Sequence, residues 1–352
     1  MIDAFDVTSN AFDWPGQRPG EPWMNHDQSV DGLPLKALPF SDLYLEPDGA
    51  WFKNSPSDRE RRVLDQRSLD ESLSLRRRLQ EHRTGLDFRA EWEGIGLRVQ
   101  RIETLEGDVY ICRRLLDRPI EYGKLGYPPR LLEALLSEAF SRGGLVLWTG
   151  ATGDGKSMSQ ASWMIERLRR YGGTACTIEN PVEIVLQGRH GSGTVVGTCY
   201  QTEVQNDSDF GPTIHRLLRA APNLIMLGEI RTREAAAQAV LAGTSGHLVS
   251  STLHANDVQT ALERMKNMVR ESGLEQGFMA DALSAVIHQS MRITNYGGVE
   301  RRILTVTPLV VASATNETAI RATLRKGDFS QLSSEIDRQR RIAAALTESG
   351  RL

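Results

Sequence analysis

Residues 145–163 read LVLWTGATGDGKSMSQASW, and the fold turns on how this stretch is understood. Leu145 to Trp148 is a short apolar run of strand type. It gives way to Gly150-Ala151-Thr152-Gly153-Asp154-Gly155-Lys156-Ser157, which fits G-x-x-x-x-G-K-[ST] at every fixed position. The glycines let the backbone turn tightly and aim N–H groups inward at phosphate oxygens. Lys156 supplies a point charge for the β- and γ-phosphates of a nucleotide, and the Ser157 hydroxyl suits Mg²⁺. From Met158 to Tyr171 the chain reads as a helix whose positive end faces the anion.

Downstream of this loop, apolar runs alternate with helical segments. Strands are expected at 174–178, 224–228, 248–253 and 302–311, and helices at 213–221, 233–242, 257–271 and 275–291. That alternation predicts a mostly parallel α/β sheet with helices on both faces. The tail 334–352 reads as a charged helix. Upstream, 130–142 reads as a helix and 118–129, rich in Pro and Gly, as an interdomain linker. Residues 34–117 look like a small α+β domain. It has a strand at 41–45 running into a Pro-Asp-Gly turn, a return strand at 50–53, a charged helical stretch within 58–83, a hairpin over 86–102 and a third strand at 108–115. Residues 1–33 hold Trp14 and Trp23 among Pro, Gly and Asp, with too little apolar content for a core. They read as a flexible arm, the alternative being an arm whose tryptophans dock on another surface or subunit.

The length of 352 residues fits two domains. The net charge of −3 gives no reason to expect a bulk nucleic-acid binder or a polybasic membrane binder. Cys112, Cys176 and Cys199 form no CxxC pair, which suits a reducing cytosol and offers no zinc site. No signal peptide is expected from MIDAFDVTSN, and no apolar run is long enough to span a membrane, so membrane association would go through partners.

Hydrolysis of a bound nucleotide needs a carboxylate on a neighbouring strand tip. Leu224 to Gly228 is a buried-type strand, and Glu229 emerges at its end, placed to orient or deprotonate water. Glu179 and Glu183 follow the 174–178 strand and are candidates for holding Mg²⁺ through water or positioning the nucleophile. His247 and His254 bracket the 248–253 strand, where an imidazole can sense a terminal phosphate. Arg216, Arg219 and Arg231 are candidates for neutralising transition-state charge.

Taken together, these motifs resemble the secretion and pilus superfamily of RecA-like hexameric ATPases. The resemblance is closest to its PilT-like branch, which includes the DotB/TraJ ATPases of type IVB secretion and plasmid transfer. SDLYLEP at 41–47 resembles the family's "SDIHIEP" signature, LRVQ at 97–100 its "FRVN" strand, and CRRL at 112–115 its "LR-x-I" strand. Gly150 to Ser157 corresponds to Walker A and IENPVE at 178–183 to the Asp box. Residues 218–231 correspond to the Walker B region, TSGHLVSSTLH at 244–254 to the His box, and AIRATLRKG at 319–327 to the "AIRNLIREGK" motif.

The resemblance implies a PAS-like domain over 34–117, a linker over 118–129 and a RecA-like ATPase domain over 130–352. It implies ATP and Mg²⁺ as cofactors, with nucleotide bound by residues 150–158, that is Gly150, Ala151, Thr152, Gly153, Asp154, Gly155, Lys156, Ser157 and Met158. Ser157 would meet the metal directly, Glu179 and Glu229 through water. Glu229 would be the catalytic carboxylate, helped by Glu179, Glu183, His247, His254 and Arg219. Arg98 and Arg113, with Arg101 nearby, match positions from which arginines of the small domain approach nucleotide. A homo-hexamer is implied, cytoplasmic and peripheral at the inner membrane. Its partners would be inner-membrane and cytoplasmic parts of a secretion or pilus apparatus, with no direct nucleic-acid contact. The departures are Asp154 where Ser is usual, Met158 for Thr, Asn180 and Asn223 for Asp, and His215 for Arg. Asp154 sets a negative charge beside polyphosphate unless it points away. These departures leave room for a weakly hydrolysing scaffold subunit, and pilus retraction stands as the rival machine.

Overall fold

The computed structural model describes residues 32–54, 59–81, 85–296 and 299–344. The chain forms two compact units, the smaller reaching to Pro119 and including Pro181–Val185, the larger holding the rest from Ile120 on.

Among the described residues, the smaller unit is a six-stranded antiparallel sheet with one α-helix. Its elements are β1 (Asp42–Leu45), β2 (Ala50–Lys53), β3 (Arg62–Val63), α1 (Gln66–Glu81), β4 (Asp87–Trp92), β5 (Ile95–Thr104) and β6 (Gly107–Arg114), in spatial order β3-β2-β1-β6-β5-β4. Period-two alternation sends Leu43, Leu45, Phe52, Leu97, Val99, Tyr110 and Cys112 to one face, where Leu75 and Leu79 of α1 join them in the core. Asp65 caps α1, accepting a hydrogen bond from the Ser68 N–H at 2.8 Å. The hairpin expected over 86–102 turns tightly. Glu93 and Gly94, both at positive φ, make a two-residue turn, and Ile95 and Gly96 already pair with β4.

The larger unit comprises α2 (Pro129–Leu135), β7 (Gly144–Gly150), α3 (Lys156–Tyr171), β8 (Gly173–Glu179), β9 (Gly188–Ser192), β10 (Val195–Glu203), α4 (Phe210–Leu217), β11 (Leu224–Glu229), α5 (Arg233–Thr244) and β12 (Leu248–His254). They are followed by α6 (Val258–Glu271), α7 (Gln276–Ala282), β13 (Leu283–Tyr296), β14 (Val299–Val310), α8 (Glu317–Lys326) and α9 (Ser333–Ala344). The sheet runs β14-β13-β7-β12-β11-β8-β10-β9. From β13 across to β10 all pairings are parallel, and the two edge strands are antiparallel. Every residue of β7 is buried, as expected of a central strand covered on both faces.

Three sequence expectations are corrected here. The helix expected at 275–291 ends at Ala282, and Leu283 onward is the strand beside β7. Ala, Leu, Ser and Gln suit a helix, but Ala285, Val286 and Ile287 are wholly buried there, so sheet packing overrides propensity. The helix expected at 130–142 breaks after Leu135, and a 3₁₀ turn takes over at Glu138–Arg142. The 118–129 stretch is no bare tether, because Ile120, Tyr122, Leu125 and Tyr127 are buried. The expected arm, and the end of the expected tail helix beyond Ala344, lie outside the described residues.

Candidate functional site

Parallel pairing decides which residues can meet. β7, β12, β11 and β8 are consecutive neighbours running the same way, so their C-terminal tips share one edge of the sheet. The glycine loop leaves the tip of β7, His254 ends β12, Glu229 ends β11 and Glu179 ends β8. His254 lies in register with Gly150, the first loop residue.

The loop passes into α3, which opens at Lys156 behind a left-handed Gly155. At Gly150, φ is +149°, and a Cβ would lie 2.3 Å from the Gln289 carbonyl oxygen, so a side chain there would clash with backbone. Lys156 is largely buried, and its Nζ donates to the Ala151 carbonyl at 2.7 Å, lying along the loop. Asp154 does not face into the loop alone. One carboxylate oxygen accepts the Ala151 N–H at 2.6 Å and the other the Met291 N–H of β13 at 2.9 Å. The Gln289 amide donates to the Asp154 carbonyl, and Tyr127 donates its hydroxyl proton to Gln289 Oε1 at 2.6 Å. The charge that departs from the familiar loop sequence is thus spent on fastening the loop to the next strand. Met158 is turned into the core, its sulfur 3.1 Å from the Ile120 N–H, which leaves its backbone rather than its side chain for a ligand.

Beneath the loop, Gln160 of α3 is fully enclosed. Its amide donates to the Leu227 carbonyl at 3.0 Å and to Ser250 Oγ at 3.1 Å, pinning the helix to β11 and β12. Glu229 is held between two bases. Arg231 Nε donates to Oε2 at 2.9 Å, and His254 Nε2 lies 3.4 Å from Oε1. Arg231 also meets Asp207 at 3.4 Å. Burial works against the Arg231 charge, but Glu229 and then Asp207 outweigh it and raise its pKa. Glu179 is buried and accepts from Thr177 Oγ1 at 2.6 Å and Gln201 Nε2 at 2.9 Å. His288, on β13, touches Thr149 Oγ1 at 3.2 Å. Burial lowers its pKa, Lys156 adds to that, and Asp257 and Asp154 pull the other way.

Other expected site residues lie elsewhere. His247 sits at the start of β12, a strand length of about 20 Å from His254, with Nδ1 2.8 Å from the Pro222 carbonyl oxygen. Arg219 is exposed on the 3₁₀ turn Leu218–Ala220 before β11, also at the starting edge of the sheet. The structure therefore does not bring His247 or Arg219 to the loop. Glu183 belongs to the smaller unit, where its carbonyl accepts the Leu116 N–H. In that unit Arg98 and Arg113 face each other directly across β5 and β6, paired with Asp87 at 3.4 Å and Asp42 at 2.7 Å. Arg101 is three residues on from Arg98 and so points to the opposite face, held by Glu103 and Asp108. It does not share their surface.

Sequence reading passed over Gln160, Tyr127, His288 and Gln289. The last two would have followed from reading 283–291 as a strand beside β7. Gln160 and Tyr127 carry no motif.

What such an edge can do is limited and specific. A glycine loop with a lysine at the start of a helix can hold phosphate, and a carboxylate between His and Arg can orient water. Ser157, Glu179 and Glu229 offer only oxygen donors, the set that suits Mg²⁺. A buried parallel sheet with a glycine loop between strand and helix, and acids on the adjoining tips, belongs to the α/β class that carries a phosphate-loop sequence. Comparison with known proteins narrows this. The family model described as "Type II/IV secretion system protein" matches residues 62–326, and the chain belongs to that family. It is 31% identical over 268 residues to the protein transport protein HofB homolog of Escherichia coli, covering 71% of this chain and 55% of that protein. It is 37% identical over 186 residues to the type IV pilus ATPase PilU of Pseudomonas aeruginosa, covering 51% and 47%. The chain thus spans about half the length of the curated relatives it matches. The crystal structure of the pilus retraction motor PilT with bound ADP superposes with a TM-score of 0.65 at 25% identity over 85% of this chain and 86% of that one. The Legionella pneumophila ATPase DotB gives 0.63 at 22% identity over 87% and 85%. No described helix is long and apolar enough to cross a membrane.

Proposed function

We propose that this chain is a subunit of a hexameric ATP-hydrolysing motor that powers a type IV(B) secretion or conjugative transfer system. The observation that carries the reading is the shared edge of β7, β12, β11 and β8, where the glycine loop, His254, Glu229 and Glu179 converge. The loop N–H groups and Lys156 bind the phosphates. Glu229 accepts a proton from water or orients it, and His254 and Arg231 fix the carboxylate. Mg²⁺ held by Ser157, and through water by Glu179 and Glu229, would neutralise charge on the phosphates. In this reading the smaller unit over 34–117 is the family's PAS-like domain, 118–129 its connection and 130–352 the ATPase domain. Arg98 and Arg113 meet the nucleotide when the motor closes. The ring works in the cytoplasm against inner-membrane partners.

Glu229→Gln tests it: ATP binding should persist while turnover falls about 10²–10⁴-fold, the scale of a general base. Unchanged turnover refutes the assignment. The second reading, pilus retraction, is favoured by the likeness to PilT and PilU. Loss of twitching against loss of transfer, in a deletion strain, separates the two. A weakly hydrolysing scaffold would bind ATP and show background turnover in the assembled ring.

A further inference from the structure

The carbonyl of Asp154 and the N–H of Gly155 belong to one peptide unit, and in a trans peptide they point opposite ways. The side-chain amide of Gln289, on β13, donates to that carbonyl. The carbonyl therefore faces β13, and the Gly155 N–H is turned away from it. No described residue accepts this N–H. It stands at the opening of α3, the end of a helix that favours anions.

Gln289 is wholly buried, and the chemistry around it allows its amide one orientation. A backbone carbonyl can only accept, so the amide nitrogen faces Asp154 and Oε1 faces Tyr127, whose hydroxyl then donates at 2.6 Å. Burial raises the Tyr127 pKa, so that proton stays in place. Tyr127 is itself seated firmly. Ile120, Tyr122 and Leu125 of the same stretch are buried with it, the Ile120 N–H meets the Met158 sulfur of α3 at 3.1 Å, and Tyr122 donates its hydroxyl proton to the Leu132 carbonyl at 3.0 Å. An oriented chain thus runs from Tyr127 through Gln289 and the Asp154 carbonyl to the Gly155 N–H. Resting on the phosphate-binding role proposed above, we propose that Gln289 and Tyr127 are positioning residues for nucleotide phosphate: Gln289 holds the 154–155 peptide so that the Gly155 N–H faces the anion, and Tyr127 fixes the amide that does so. The Asp154 carboxylate fastens the loop in place, whereas Gln289 sets the direction of one of its donors.

The test is a titration of the full chain with labelled ATP, with competition by unlabelled adenosine. Gln289→Leu removes the donor and should raise the Kd for ATP about tenfold, the scale of one hydrogen bond to a charged group. Competition by adenosine, which carries no phosphate, should be unchanged. Tyr127→Phe keeps the ring and should cost about threefold by itself. On top of Gln289→Leu it should cost nothing more, because it acts through the amide. Unchanged ATP affinity in either single variant overturns the proposal. So does an equal weakening of ATP and adenosine, which would mark a general loosening of the fold, or a Tyr127→Phe loss that is the same with and without Gln289. A wild-type chain that fails to bind ATP would sink the phosphate-binding role itself, and this assignment with it.

Discussion

The two edges of the large sheet are made by the same strands and could hardly differ more. At the tips of β7, β12, β11 and β8, charged groups meet within hydrogen-bond reach: Glu229 lies between Arg231 and His254, and Asp154 is fastened to β13. At the starting edge, His247 is bonded to the Pro222 carbonyl and Arg219 is exposed. Two histidines in one motif thus have different surroundings, because a parallel strand separates its ends by its whole length. Position in a conserved-looking string is weaker evidence for chemistry than position on a strand.

The comparison breaks most visibly at the loop. Lys156→Ala should reduce ATP turnover to background while leaving the His247 edge and the melting temperature near wild type; turnover measured on the intact oligomer decides. Next, His254→Ala should cost about tenfold to 10²-fold in turnover, by loosening Glu229, whereas His247→Ala should stay within about twofold and instead lose about 1 kcal/mol of stability with its hydrogen bond. Equal turnover losses at both histidines would erase the distinction between the edges. Asp154→Asn separates two pictures of the loop. If the carboxylate repels phosphate, neutralising it tightens nucleotide binding. Fastened to Ala151 and Met291, it should weaken binding a few-fold instead, read by titration with labelled ATP.

The smallest effect is a pH dependence. His288 has its folded pKa below the ordinary imidazole value of 6.5, with burial the first cause. The unfolded chain therefore takes up a proton that the folded one resists, and stability declines as pH falls below about 6.5. It should level off once the folded pKa is passed. His288→Gln should flatten that part of the stability curve, measured by denaturant melts.

Much of this was legible in the sequence. Apolar runs announced β7 and β11, and Leu248, Val249 and Leu253 marked β12, but the order of these strands in the sheet was not legible. The antiparallel pair β9 and β10 was not seen, since Gly188, Gly191, Gly193 and Gly197 interrupt any apolar rhythm. The strand over 283–291 was hidden by helix-favouring composition, and with it went His288 and Gln289. The orientation of Asp154 was not readable at all, because it depends on an amide of β13 that lies 137 positions along the chain.

One join in the large unit has mechanical meaning. β13 and β14 pair all the way from Ala285↔Val310 to Tyr296↔Val299, while β7 accompanies β13 only as far as His288. Among the described residues the outer half of that ribbon has no flanking strand on the β7 side, and its root at Gln289 and Met291 is bonded to the loop through Asp154. Because both bonds end on Asp154, a displacement of β13 at Gln289 or Met291 would carry the turn between β7 and α3 with it.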